Sequence, residues 1–287
     1  MDIRAILMGV AFSFMWSSAF TSARVAVAYA SPLALLSVRF LMSGLIALMI
    51  ARAMGQSARL TRKQWTAVII FGICQNVVYL GANFIAVQTV EAGLASIIAS
   101  MLPLLVAAAS WLVLGERLPK LAIAGLVVGF TGVFLIMGTR LSGGADLLGL
   151  GLCLVGVLAL AAATMLVSGA SSGGNIWMVI GLQMLVGSVI LGGLSVGFET
   201  WRVEPTLPLL VAFLYTTLIP GLTATFVWFT LVRRIGATRA SAFHFLNPFF
   251  GVVVASVVIG ETLGMTDIIG VLVIMAGILA VQLSRRV

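Results

Sequence analysis

The sequence predicts an all-α membrane protein, with ten transmembrane helices arranged as two inverted five-helix repeats around a central cavity. Three observations carry that expectation: an apolar composition, ten separated apolar stretches, and a match between the two halves of the chain. Hydrophobic residues fill 62% of the 287 positions and charged residues only 8%. A water-soluble domain carries about 25% charged residues, so this chain lacks the polar side chains to cover a solvated surface. The net charge is +8, yet the 16 basic residues gather in short loops and form no basic face interleaved with aromatics. That pattern speaks against a nucleic-acid partner and for topology signals in a lipid bilayer. Cys74 and Cys153 fall inside apolar stretches, and the chain has one histidine and no Cys-x-x-Cys. Both cysteines read as small packing residues, with no disulfide framework, metal or cofactor expected.

Runs of about 20 mostly apolar residues place the spans. In the first half they cover Arg4–Thr21, Pro32–Ala53, Trp65–Gln88, Gly93–Leu114 and Leu121–Gly138. In the second half they cover Leu147–Ser168, Asn175–Gly197, Leu207–Val232, Arg239–Ile259 and Thr266–Leu283. The first loop, Ser22–Ser31, is itself fairly apolar. Within it Ala28-Tyr29-Ala30 resembles a signal-peptidase site, but it lies beyond Arg24 and outside the apolar run, so the first segment reads as a retained span.

Basic residues orient the spans. Arg4, Arg52, Arg59, Arg62, Lys63, Arg117, Lys120, Arg233, Arg234, Arg239, Arg285 and Arg286 fall on one side, and Arg24, Arg140 and Arg202 on the other. The split is 12 against 3, with Arg39 inside the second span. The positive-inside rule then places both termini in the cytoplasm and the chain in the cytoplasmic (inner) membrane. Trp65 and Trp201 sit at span ends, where amphipathic rings anchor at headgroups.

Sliding the chain against itself by 145 positions brings Pro103 onto Pro248, Gly115-Glu116 onto Gly260-Glu261 and Leu118 onto Leu263. In the same ungapped register Gly125 meets Gly270, Gly132 meets Gly277, Ala95-Ser96 meets Ala240-Ser241 and Phe84 meets Phe229. The halves are residues 1–141 and 142–287. Five spans is an odd number, so the second repeat enters the bilayer from the opposite side. Inverted repeats are a device for alternating access, with a solute held near the midplane between the halves.

The pattern resembles the drug/metabolite transporter superfamily, specifically its ten-span EamA-type exporters. The residues that carry the resemblance are Pro103…Gly115-Glu116…Gly125…Gly132 and Pro248…Gly260-Glu261…Gly270…Gly277, with Trp16 and Pro32…Arg39. Gln183 stands near the place that Arg39 would occupy in the second half. The resemblance implies a basket with a central cavity lined by the first four spans of each half, the fifth spans peripheral. It is closest to bacterial amino-acid and metabolite exporters, including the aromatic amino-acid type. A monomer and a homodimer are both compatible with it.

Polar groups are costly in hydrocarbon, so each one within a span is a candidate for the solute pathway. In the third span Asn76, Tyr79 and Asn83 share one helical face, as do Ser13, Trp16, Ser17 and Phe20 in the first. The fourth span aligns Ser96, Ser100 and Pro103, and the ninth aligns Ser241, His244 and Asn247 beside Pro248. The eighth adds Tyr215, Pro220, Thr223 and Trp228. The expected cavity residues are Trp16, Asn76, Tyr79, Asn83, Ser96, Ser100, Trp228, Ser241, His244 and Asn247, with Pro103 and Pro248 as helix hinges. Hydroxyls also bond their own i−4 carbonyls, and buried amides link helices, so a structural role competes at each position. Arg39 reads either as a structural group satisfying helix-end carbonyls or as a clasp for a substrate carboxylate.

No Asp or Glu lies near the middle of any span. A cavity of aromatics, amides and hydroxyls suits a neutral or zwitterionic solute with an apolar side chain, and His244 is the one ordinary titratable candidate for proton linkage. The reading is a small-molecule exporter of amino acids, aromatic or large neutral, with other hydrophobic metabolites or drug-like compounds as the alternative cargo. Intramembrane enzymes need a nucleophile–base pair or a metal motif, which one histidine and no mid-span carboxylate do not supply. A receptor would carry a soluble signalling domain.

Overall fold

The computed structural model is described for residues 3–57, 59–113, 115, 117–142, 144, 146–166, 174–235, 240, 242–262 and 264–284. Helices α1 (Ile3–Val27), α2 (Pro32–Ala53), α3 (Arg62–Ala86), α4 (Ala92–Leu112) and α5 (Lys120–Ser142) form the first half. The second half contains α6 (Leu147–Leu166), α7 (Ile176–Phe198), α8 (Leu207–Ile235), α9 (Phe243–Ile259) and α10 (Met265–Ser284). Among the described residues nine of these are long and apolar enough to cross a bilayer, and α9 is the shorter one. Large apolar side chains such as Phe134, Val189 and Val257 are exposed on the outside, as a lipid-facing surface requires.

Local chemistry accounts for the helix ends. Thr61 and Gln64 close a capping box at the start of α3, satisfying two backbone donors reciprocally. Pro32 opens α2 at a position where no backbone N–H is needed. Gly260, with φ 69, ends α9 in the left-handed region, and Gly115, its repeat mate, has φ 68. The glycine of the repeated motif therefore takes the left-handed conformation twice, just after a helix end each time.

The first helix differs from its expected end at Thr21. It runs on to Val27. Neither Gly nor Pro interrupts the stretch, and Arg24 in this last turn donates to the carbonyls of Val87 and Val90 at the end of α3. The expected loop shrinks to 28–31, which pairs with the loop before α8 through an antiparallel bridge between Ala30 and Val203.

Two antiparallel helix pairs join the halves. In one, α5 lies on α10, with Gly125 facing Gly277 and Gly132 facing Gly270. In the other, α2 lies on α7, where Gly44 faces Gly181 and Ser37 and Ser188 exchange hydroxyl-to-carbonyl hydrogen bonds of 2.9 Å each. Both fit an inverted repeat, since equivalent spans meet head to tail.

Candidate functional site

The site begins with an irregularity shared by the third span of each half. Helix α3 contains a π-helical stretch, Gly72–Leu80, and α8 contains another, Thr217–Thr223. Gly72 and Thr217 stand 145 residues apart, in the repeat register. A π turn widens the helix and alters which side chains share a face, and such turns concentrate at functional sites. In α8 the turn holds Pro220, which has no N–H to give the Thr216 carbonyl one turn earlier. Arg39 of α2 donates to that carbonyl from Nε at 3.2 Å.

Between these turns lies a cavity with about 660 Å³ of empty space, open water included. Its walls are Trp16 and Phe20 from α1, Arg39 and Phe40 from α2, Gln75, Asn76, Tyr79, Asn83 and Phe84 from α3, Gln183 and Met184 from α7, and Pro220, Gly221 and Thr225 from α8. The apolar lining with a few convergent polar groups is that of a small-molecule site. Arg39 is the one charged side chain among the described lining residues.

Five spans reach the cavity rather than eight. Helix α6 packs behind α3, with Gly156 against Asn83 and Tyr79, and α4 packs on α9, with Ser96 against Gly251. Of the residues singled out in the sequence, Trp16, Phe20, Arg39, Asn76, Tyr79, Asn83, Gln183 and Pro220 line the cavity. Trp228 and His244 instead meet Phe12 in an aromatic cluster, with ring centroids 4.8 Å and 5.4 Å from it, and Asn247 Nδ2 lies 2.9 Å from His244 Nδ1. Trp16 joins the two regions, parallel to Tyr79 at 6.3 Å and edge-on to His244 at 6.4 Å. Ser100 donates to the Ser96 carbonyl at 2.7 Å within α4. Ser241 lies outside the described residues.

The helix segments restart just before both prolines: α4 is split into Ala92–Ala99 and Leu102–Leu112 around Pro103, and α9 changes from a tight Ala242–Leu246 turn to Asn247–Ile259 beside Pro248. Ser13 and Ser17 of α1 donate to the Phe243 and Asn247 carbonyls at 2.8 Å and 3.0 Å, satisfying acceptors where α9 is irregular. Gln75, Phe84 and Met184 line the cavity without having been singled out. Gln75 had an available signal, since it stands four residues before Tyr79 and eight before Asn83 and so shares their helical face.

Beyond the cavity's Val87 end, three carboxylates hold helix starts, where unpaired N–H groups and the helix dipole favour negative charge. Glu261 accepts from Ala92 N at 2.7 Å and Gly93 N at 2.9 Å, and its Oε1 stands 3.5 Å from Arg24 Nε. Glu199 does the same for Leu33 and Ala34 at 2.8 Å and 2.9 Å. Asp146 accepts from Thr89 Oγ1 at 2.6 Å and from Leu148 N and Gly149 N. The Thr89 hydrogen bond leads in holding the Asp146 carboxyl below its ordinary range.

The profile of the EamA-like transporter family matches twice, over residues 3–138 and 147–283. The uncharacterized transporter YvbV of Bacillus subtilis (strain 168) is 29% identical, over 99% of this chain and 93% of its own length. The uncharacterized inner membrane transporter YedA of Escherichia coli (strain K12) is 26% identical, over 97% of this chain and 91% of its own. An uncharacterized transporter of Archaeoglobus fulgidus is 25% identical, over 98% and 99%. A solved crystal structure, 20% identical, shares the fold across 100% of this chain and 99% of its own, with a TM-score of 0.72. With both halves matched by one family, the chain belongs to the EamA-like transporter family of the drug/metabolite transporter superfamily and is a multi-pass membrane transporter for a small-molecule substrate.

Proposed function

We propose that the protein exports amino acids, aromatic or other large neutral ones, by alternating access across the cytoplasmic membrane, with both termini in the cytoplasm. One observation supports the cargo class above others: a mainly aromatic and amide-lined cavity in which Arg39 is the sole charged group among the described residues. Such walls suit an apolar side chain, and they offer no carboxylate to hold a cationic drug.

The order of groups along α1 supports the alternation. Phe12 lies in the aromatic cluster, Trp16 to Ala23 line the cavity, and Arg24 joins Glu261. At 1.5 Å per residue those twelve positions span about 18 Å, so the two closures sit at opposite ends of one chamber. Residues 1–141 and 142–287 are the halves that rock, and Pro103 and Pro248 are the hinges. Expulsion follows when the Arg24–Glu261 contact, which ties α1 and the start of α4 to the loop after α9, opens as the aromatic cluster closes.

Reconstitution into liposomes with radiolabelled neutral amino acids tests the reading. Saturable flux of phenylalanine or a similar amino acid is expected. Flux of another solute class with none for any neutral amino acid would overturn it. The apolar walls formed by Phe20, Phe40, Phe84 and Met184 favour hydrophobic metabolites as the second reading, which the same flux panel separates.

A further inference from the structure

We infer that Arg39 and Asn83 form a head-group subsite, in which Arg39 takes a substrate carboxylate and the Asn83 carboxamide oxygen takes the hydrogen-bond donor beside it. The inference rests on reading the cavity as the substrate chamber and names what the substrate presents there. Both side chains line the cavity and are almost wholly buried, at 4% and 3% exposure. Each is only half satisfied. Arg39 Nε donates to the Thr216 carbonyl, while Nη1 has no hydrogen-bond partner. Asn83 Nδ2 donates to the Tyr79 carbonyl at 2.7 Å, while Oδ1 has none. A backbone carbonyl only accepts, so the amide cannot be turned the other way and the orphan atom is the acceptor.

Both orphan atoms belong to side chains that line the cavity. Arg39 Cζ stands 5.8 Å from the ring of Phe84, the residue after Asn83, and 5.1 Å from the ring of Phe40. Ring faces lower the cost of the buried cation but do not use its N–H groups. No Asp or Glu is among the described lining residues, so the described wall holds no counter-ion. An unpaired donor and an unpaired acceptor in a dry site are each expensive, and native proteins keep such groups where a ligand completes them. Gly221 leaves the guanidinium room, since a Cβ there would stand 3.3 Å from Arg39 Nη2. A planar guanidinium matches a carboxylate through parallel N–H donors, which a lysine ammonium does not. The 145-residue register pairs Arg39 with Met184, with Gln183 beside it, so the second half offers no matching cation there and the chamber receives one carboxylate and not two.

A purely structural Arg39 would need only its Nε bond to Thr216, and its replacement would weaken all ligands alike. Calorimetric binding to the purified full chain in detergent separates the two, using L-phenylalanine, its methyl ester, 3-phenylpropanoate and phenethylamine. The wild type should bind L-phenylalanine at least about 10-fold more tightly than the ester or the amine, because a site built for a polar group rejects the analogue that lacks it. Arg39→Gln should bring the acid-to-ester ratio close to one, and Arg39→Lys should retain part of it. Asn83→Ala should instead lower the ratio of L-phenylalanine to 3-phenylpropanoate and leave the acid-to-ester ratio in place. An unchanged acid-to-ester ratio in both Arg39 variants overturns the subsite, as does a wild type that binds neither acid. Arg39-dependent binding of 3-phenylpropanoate without L-phenylalanine removes Asn83 from the subsite and ends the amino-acid reading while keeping the carboxylate clasp. Amino-acid flux with an Arg39-independent ratio does the reverse.

Discussion

The α5–α10 and α2–α7 pairs join the same two halves with the same antiparallel geometry, yet they are built differently. In the first, glycine lies on backbone. A Cβ at Gly125 would stand 2.8 Å from both Gly277 O and Val281 N, and one at Gly132 would stand 2.9 Å from Gly270 O and Ile274 N. The second is slightly looser, with a Cβ at Gly44 3.1 Å from Gly181 O, and it adds the Ser37–Ser188 exchange. In hydrocarbon, close packing of small residues is enough to hold two helices together. The α2–α7 pair must also present Arg39 and Gln183 to the cavity, and hydroxyl-to-carbonyl bonds fix the register that aims them. One pair is scaffold; the other positions the site.

The steepest break of that contrast is Gly125→Ala. Backbone on both sides cannot give way, so a loss of about 1–3 kcal/mol is expected. Gly44→Ala should cost less than half as much, since its nearest obstacle is the end of the Leu185 side chain at 2.9 Å. Thermal unfolding in detergent compares them, and equal losses would erase the distinction. In the cavity and the aromatic cluster beside it, Asn83→Ala, Trp228→Ala and Asn247→Ala should each lower flux about 10-fold while folded yield stays near normal. Wild-type flux in all three would show that these residues carry no transport role.

Smaller effects sharpen the comparison. A double-mutant cycle of Ser37→Ala and Ser188→Ala should report a coupling of about 0.6 kcal/mol, typical of hydrogen bonds between membrane helices. Coupling indistinguishable from zero would leave glycine contacts as the whole seam in both pairs. Asp146 lies in neither seam and serves as a control. Its folded-state carboxyl is held below the ordinary range, so its contribution is present at neutral pH and fades as pH falls through the lowered value. Asp146→Asn should therefore flatten the acid-side fall in thermal stability and change flux little.

Much of the fold was legible because lipid makes simple demands. A helix must be apolar for about 20 residues, and stops must be marked, so the spans and the paired Gly115 and Gly260 stops could be read directly. The cavity was legible only in part. Asn76, Tyr79 and Asn83 were found by helical spacing; Gln75 fits the same spacing, four residues before Tyr79, and Phe84, which also lines the wall, does not. His244 and Trp228 are polar or amphipathic within a span like the others, yet they pack on Phe12, and no local pattern distinguishes a neighbour across a helix contact from an empty chamber. Glu261 was recognisable as half of a motif, but not as the cap of a helix 168 residues away.

Residue order and hydropathy suffice for the apolar helices and the likeness of the halves, because each follows from transfer of a short segment into hydrocarbon. Which polar groups find partners is decided between segments far apart in the chain. Pro220 frees a carbonyl, Arg39 reaches it across 177 positions, and one guanidinium nitrogen is left without a bond. Only the assembled bundle makes that choice, since a hydrogen bond depends on ångström-scale placement and a hydrophobic span does not.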